Sequence, residues 1–385
     1  AITFLAAYAW RDWYKSACGL VLLMAVIEHP DMPKTIFDIQ GLNPWNILLM
    51  FILLAWWANR RQEGLRWDMP TRLNVLLFMY LAMICTGFFR LLSDPSEFIR
   101  WSVINGDPVP SVAGMWSEQL VNSVKWVIPG LLLYDGCRDR RRFIWGLTAV
   151  LGMYFLLALQ VIRWMPLDTI SSGGALTERS LKIISNEIGY HRVNLAVMLA
   201  GGAWAIFAAR VLAKRRMHDL LIVGVSLATA FGMALTGGRT GYGTWAAIGI
   251  VFALFRWRKY LVLGPLVVIA IILVVPAAME RFTQGFTPET RDINVRLENQ
   301  KLGADDDVDL YTVTAGRNVA WPHVIDKISD APWAGYGREA MQTTGITAML
   351  WEQFGENFPH PHNAYLQLLL DNGLIRWVRI VFPVV

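Results

Sequence analysis

Apolar runs of about 18–20 residues recur from one end of the chain to the other, each long enough to cross a hydrocarbon core of about 30 Å. In lipid, every backbone N–H and C=O must be satisfied within the chain, which leaves helices and closed barrels. A barrel would show short alternating segments in place of unbroken apolar runs. The 385 residues are 55% hydrophobic and 17% charged, with a mean hydropathy of +0.39. Soluble domains carry roughly 25% charge, so the apolar excess faces lipid. The fold class is therefore an all-α membrane protein, a polytopic bundle of about 11–12 transmembrane helices with a large helical cap loop.

The spans read as 14–28, 43–58, 72–90, 119–135, 143–164, 193–213, 219–236, 241–256, 260–278 and 363–374, with a final run from about 376. Four basic clusters follow every second span: Arg60, Arg61 and Arg66; Arg138 and Arg140 to Arg142; Lys214 to Arg216; and Arg256, Arg258 and Lys259. Short loops rich in Lys and Arg stay cytoplasmic, so the N-terminus is expected in the cytoplasm. The loops at 29–42, 91–118, 165–192, 237–240 and 279–362 then face outward, which in a bacterial inner membrane is the periplasm. Trp56, Trp57, Trp126, Trp164 and Trp257 suit interfacial belts. The net charge of +5 does not imply nucleic acid, because the cations sit in interhelical loops. Cys18, Cys85 and Cys137 lack metal-ligand spacing. The chain opens at Ala1 and closes on Val385 inside an apolar run, so both ends are expected to be incomplete.

The linear organisation is expected to be transmembrane helices over 1–192, a second transmembrane set over 193–278, an outward loop over 279–362 and C-terminal helices over 363–385. A connector of that length exceeds the usual limit of about 12–15 residues, and stretches such as 319–328 have helical composition. Three outward features stand out. The first is Arg239 in the tight turn Thr236-Gly237-Gly238-Arg239-Thr240-Gly241, which holds a guanidinium at headgroup depth. It suits a substrate phosphate, and equally an arginine that snorkels to ordinary lipid. The second is Gly316-Arg317 with Trp321, followed by Pro332-x-x-Gly335-x-Gly337. Alone, Arg317 reads as a solvated charge on a loop helix, and the glycines as turn formers. The third is His362-Asn363, at the mouth of the next apolar segment. Asn363 either orients the imidazole or caps the helix, and His360 lies two residues upstream as a decoy.

Together these motifs resemble the O-antigen ligase and polymerase family over roughly residues 190–375. That family carries an outward turn arginine, here Arg239; a Gly-Arg-x-x-x-Trp, here Gly316, Arg317 and Trp321; a Pro-x-x-Gly-x-Gly; and a His-Asn-x-x-Leu helix start, here from His362 to Leu366. One departure is Gly238, where the family commonly has Ser before the turn arginine. The resemblance implies a glycosyltransferase that moves an oligosaccharide from undecaprenyl diphosphate to a sugar hydroxyl on lipid A-core, completing lipopolysaccharide.

Residue chemistry fits that implication. Arginine binds phosphate oxygens bidentately and stays charged, which suits Arg239 and Arg317 to the donor diphosphate. His362, with an ordinary pKa of about 6.5, suits the general base that takes the acceptor proton. Direct displacement inverts the anomeric configuration, and no paired carboxylates suited to a retaining double displacement are evident. Asp305, Asp306, Asp307 and Asp309 read as a solvated acidic loop, so the expectation is a metal-independent enzyme without cofactors. Lys125, inside a span near its outward end, and Arg192, at a span start, either help to hold phosphate or anchor the interface. An O-antigen polymerase and a protein O-oligosaccharyltransferase remain alternatives sharing the donor. A lipid or solute transporter would place charges at the bilayer midplane, whereas these candidates gather at one face.

Overall fold

The computed structural model describes residues 1–37, 39–258, 266, 269–270, 273–283, 314, 316–355 and 357–381. It is an all-α polytopic membrane protein, and the described residues contain one strand pairing, Thr35–Ile36 with Ile39–Gln40. The helices are α1 (Ile2–Ala9), α2 (Trp13–Leu23), α3 (Pro44–Gln62), α4 (Thr71–Ser93), α5 (Ser96–Asn105), α6 (Val112–Met115), α7 (Asn122–Lys125), α8 (Val127–Gly136) and α9 (Arg140–Trp164). They continue with α10 (Gly173–Ile183), α11 (Arg192–Ala208), α12 (Arg216–Leu235), α13 (Arg239–Phe255), α14 (Pro276–Thr283), α15 (Arg317–Asp330), α16 (Ala340–Thr343), α17 (Ile346–Phe354) and α18 (Ala364–Val381).

Local chemistry starts several of these helices where the apolar runs begin. Asp12, Asn43 and Asp139 each accept a hydrogen bond from the backbone N–H three residues on, satisfying one of the orphan donors of a first turn. Pro44 follows at a first-turn position, where its missing N–H costs nothing. Among the described residues, Thr71–Ser93, Arg140–Trp164, Arg192–Leu212 and Arg216–Leu235 are long and apolar enough to cross a membrane. The expected span at 260–278 lies largely outside the described residues. The expected span at 363–374 is the start of α18, whose backbone is non-helical at Gly373. The loops at 91–118 and 165–192, expected to face outward, are not plain connectors, because α5 and α10 form within them.

The helices cluster into two compact units, Ala1–Leu65 with Pro129–Thr283, and Arg66–Ile128 with Gln284–Val385. Each unit contains pieces distant in sequence.

In the first unit, α9, α11 and α12 pack closely around Leu157, Val161, Leu195, Leu199 and Leu235. A Cβ on Gly232 would sit 3.0 Å from the Ala158 backbone, and one on Gly202 2.7 Å from the Tyr154 ring. Small residues let membrane helices approach closely, which replaces the missing hydrophobic drive between them. Two of the basic clusters meet at one end of this unit. Fully buried Asp135 accepts from Trp56 Nε1 at 2.8 Å and is paired with Arg60 and Arg138 at 2.9 Å. Glu63 accepts from Trp13 Nε1 at 2.8 Å and from Arg142 at 2.9 Å.

In the second unit, α15 to α18 enclose a small core of Ala320, Val324, Met341, Leu350, Phe358 and Leu370. The helices between Arg317 and Leu370 thus have an interior of their own. Phe88 and Leu91 of α4 pack with Phe98 and Met115 in a second cluster of the same unit.

Candidate functional site

The first unit carries Arg239 and Arg192. Arg239 opens α13, directly after a turn in which Gly237 has φ +66° and the Thr236 hydroxyl accepts from the Gly238 N–H. Arg192 opens α11. Both helices run from these arginines toward basic loops at their far ends, so the two guanidiniums belong to the face opposite those loops. The absence of Ser at position 238 has a steric cause. A Cβ on Gly238 would lie 2.7 Å from the Ala196 Cβ, and one on Gly241 2.5 Å from it. The first turn of α13 therefore lies against α11, which brings Arg239 and Arg192 within electrostatic reach of one another. Arg192 Nη1 donates to Ser180 Oγ of α10 at 3.4 Å, and Gly237 is tight against the same serine.

Two residues of this cluster carried no motif in the sequence. Tyr242 lies one turn beyond Arg239, donates its hydroxyl to Ala234 O at 2.7 Å, and is within reach of Arg192 and Arg281. Arg281, in α14, is a buried guanidinium at 8% exposure. Its only sequence signal is a cation just past an apolar run, which any interfacial arginine shares.

The second unit carries Arg317, His362 and Lys125. Arg317 is the first residue of α15, after Gly316 in the left-handed region, and its Nε is buried with no hydrogen-bond partner among the described residues. One turn on, Trp321 Nε1 donates to Pro361 O at 2.8 Å, so the helix that begins with Arg317 clamps the loop bearing His362. Thr347 Oγ1 holds the same loop at Phe358 O, at 2.8 Å. Directly after the Pro361 anchor His362 takes φ +52°, a conformation that β-carbon crowding disfavours and that recurs at functional sites. The residue is exposed, with its ring 4.3 Å from that of His360 and 6.1 Å from that of Phe358. Asn363 caps α18, accepting from the N–H groups of Tyr365 and Leu366. Lys125 Nζ lies 5.5 Å over the Trp126 ring, an arrangement that suits an interfacial anchor.

The Pro332-x-x-Gly335-x-Gly337 run is a packing device beside this loop. Tyr336 and Gly337 donate their N–H groups to Leu370 O and Asp371 O, and Leu374 N donates to Pro332 O. A Cβ on Gly335 would lie 2.6 Å from the backbone of 370–372, and one on Gly373 2.4 Å from Trp333 C. The turn carries Arg338 and Glu339 inward. Arg338 Nε donates to Gln119 Oε1 at 2.6 Å, and Glu339 takes φ +57°. Burial pushes the Glu339 carboxyl above the usual range, an effect that Arg338 and Gln119 offset only in part. Asp371 lies within electrostatic reach of Glu339 and accepts from Gln367 and from the Ala340 N–H. Folding thus assembles a carboxyl pair not evident in the sequence, and hydrogen bonds already engage it. The acidic stretch Asp305 to Asp309 lies outside the described residues.

Residues 224–378 match the family model described as O-Antigen ligase. This part of the chain is similar to the O-antigen ligase family. The matched region takes in Arg239, Arg281, Arg317 and His362 and leaves out Lys125 and Arg192, so it begins later than the sequence resemblance suggested. No curated protein and no solved structure matches the chain. The match supports an O-antigen ligase-type function in general terms.

Proposed function

We propose that the chain transfers an oligosaccharide from undecaprenyl diphosphate to a sugar hydroxyl of lipid A-core, with inversion and without a metal. The observation that carries this reading is the His362 loop, in which an exposed imidazole on a strained backbone is clamped by the helix that begins with Arg317. In the reaction, His362 removes the proton of the acceptor hydroxyl as its oxygen bonds to the anomeric carbon. The bond from that carbon to the diphosphate breaks, and the leaving group keeps the electron pair. Arg317, in the same unit as His362, opposes the charge that develops on the diphosphate; Arg239 and Arg192, in the first unit, are proposed phosphate contacts. Fixed guanidiniums supply the positive charge that a divalent ion would otherwise bring.

The regular alternation of the basic clusters supports a bacterial inner-membrane location with a cytoplasmic N-terminus and a periplasmic reaction. The test is reconstitution with an undecaprenyl-diphosphate oligosaccharide, offering lipid A-core, a second glycan donor and a protein acceptor in parallel. Product on lipid A-core, unchanged by chelator, is expected. Product on the second glycan or on protein instead overturns the ligase assignment, and loss with chelator overturns metal independence. Arg317→Lys and Arg239→Lys, which keep charge but lose the planar fork, are expected to lower transfer about tenfold or more.

A further inference from the structure

The basic clusters that meet at one end of the first unit contain two kinds of arginine. Arg60 and Arg138 pair with buried Asp135, and Arg142 pairs with Glu63 while its guanidinium lies over the rings of Trp13 and Tyr14. These bonds tie the end of α3 to the start of α9 and occupy the carboxylates of Asp135 and Glu63. Asp139 caps α9, accepting from the Arg142 N–H. Arg61, Arg140 and Arg141 stand in the same two clusters and are exposed. Their side chains make no hydrogen bond, ion pair or ring contact among the described residues.

Helical spacing sets each of these cations at the end of an exposed apolar stripe. On α3, Met50, Leu54 and Trp57 are exposed and lead by steps of three or four residues to Arg61. On α9, Arg140 and Arg141 stand one turn from the exposed side chains of Ile144 and Trp145. α9 is long and apolar enough to cross a membrane, so its exposed apolar side chains face acyl tails and the cations beyond them reach headgroup depth. Trp57 and Trp145, next to the cations, suit the same interface.

We propose that Arg61, Arg140 and Arg141 form a surface site for the phosphodiester headgroups of anionic phospholipids of the surrounding bilayer. The occupant follows from charge and from continuity with the stripes: an amphiphile with an anionic head matches both, whereas a water-soluble phosphate matches only the cations. A guanidinium with no internal partner offers its planar fork to phosphate oxygens. Arg60, Arg138 and Arg142 are already neutralised by carboxylates, so their task is to hold the helix ends. The positive-inside rule treats all six alike, and only the fold separates those that brace it from those that meet lipid. Arg192 and Arg239 belong to the opposite end of the unit, so a lipid bound here leaves them open.

The experiment measures binding of phosphatidylglycerol and of phosphatidylcholine to the detergent-solubilised full chain by native mass spectrometry. The proteins compared are the wild type, the triple variant Arg61→Gln/Arg140→Gln/Arg141→Gln, the corresponding triple Lys variant, and Arg60→Gln. The Gln triple is expected to bind phosphatidylglycerol about 10–100-fold more weakly, with phosphatidylcholine binding unchanged. Its unfolding temperature in phosphatidylcholine should equal that of the wild type, because no internal bond is lost. The Lys triple should keep phosphatidylglycerol binding to within about fivefold, and Arg60→Gln should lower the unfolding temperature in either lipid. Undiminished phosphatidylglycerol binding in the Gln triple overturns the proposal, as does an equal loss for both lipids. A Gln-like loss in the Lys triple overturns charge as its basis, and a larger selective loss in Arg60→Gln overturns the division of roles. Glycerol 3-phosphate is expected not to displace phosphatidylglycerol; displacement would make this a site for soluble phosphate and overturn the lipid assignment. If the Gln triple does not fold, Arg61→Gln and Arg141→Gln are read singly, each with an expected loss of about fivefold confined to phosphatidylglycerol. No loss in either single variant overturns the site.

Discussion

The two compact units divide the chemistry unequally. The first gathers guanidiniums at the starts of α11 and α13 and in α14, and brings them no imidazole from among the candidate residues. The second offers an imidazole in a loop held by two hydrogen bonds, one arginine with a buried Nε, and a coupled carboxyl pair beneath. Positive charge that must only wait for an anion can be mounted on rigid helix ends. A general base, the role proposed for His362, has to meet an incoming hydroxyl, which suits an exposed loop with a constrained backbone. On the proposed reading, the first unit resembles a holder and the second a reactive surface.

His362→Ala separates these roles most sharply. Transfer is expected to fall about 10²–10⁴-fold if the imidazole is a general base, with binding of the donor lipid unchanged. A parallel loss of binding would make His362 part of the holder and dissolve the contrast. The next largest effect belongs to the basic end of the first unit. Asp135→Asn leaves Arg60 and Arg138 facing a neutral group in a buried site, and thermal unfolding should register a loss of about 3–5 kcal/mol. A variant of wild-type stability would show that this knot does not hold the helix ends.

A smaller effect tests the clamp. Trp321→Phe keeps an aromatic ring, though a smaller one, and removes the bond to Pro361 O, which alone is a loss of about 1 kcal/mol. Transfer is expected to fall more than stability does, because the loop carrying His362 loosens. Equal, small changes in both would reduce Trp321 to packing.

The smallest effect concerns Glu339, whose folded-state pKa is raised chiefly by burial. Below the ordinary carboxylate range both folded and unfolded states are protonated, and the second unit has its full stability. As pH rises through the raised folded value, ionising the carboxyl inside the fold becomes costly and that stability is lost. Glu339→Gln is expected to flatten this decline in a pH series of unfolding temperatures. A decline of wild-type steepness in the variant would assign it to another group.

Much of the membrane architecture was legible from hydropathy. The starts of α3, α4, α9, α11, α12 and α13 lie within a few residues of the expected spans, and at α3, α4 and α9 a capping side chain or a proline borders the apolar run. Arg239, Arg317 and His362 could be singled out as candidates, since glycine turns and helix starts leave local signatures. Arg281 and the Glu339–Asp371 pair were not. Nothing in Glu280-Arg281-Phe282 separates a buried guanidinium from a surface one, and residues 32 positions apart in sequence become neighbours only when the Gly335–Gly337 turn docks on 370–373.

By itself the sequence determined that this chain is a helical membrane protein and which residue types stand at its helix starts. Those properties follow from composition and from interactions over a few residues, where water, lipid and the backbone set the rules. Only the tertiary structure decided which cations share a locus, which asparagine caps instead of orienting, and why Gly238 admits no side chain beside Ala196. These outcomes depend on distances between elements far apart in the chain, set by packing and not by any local preference.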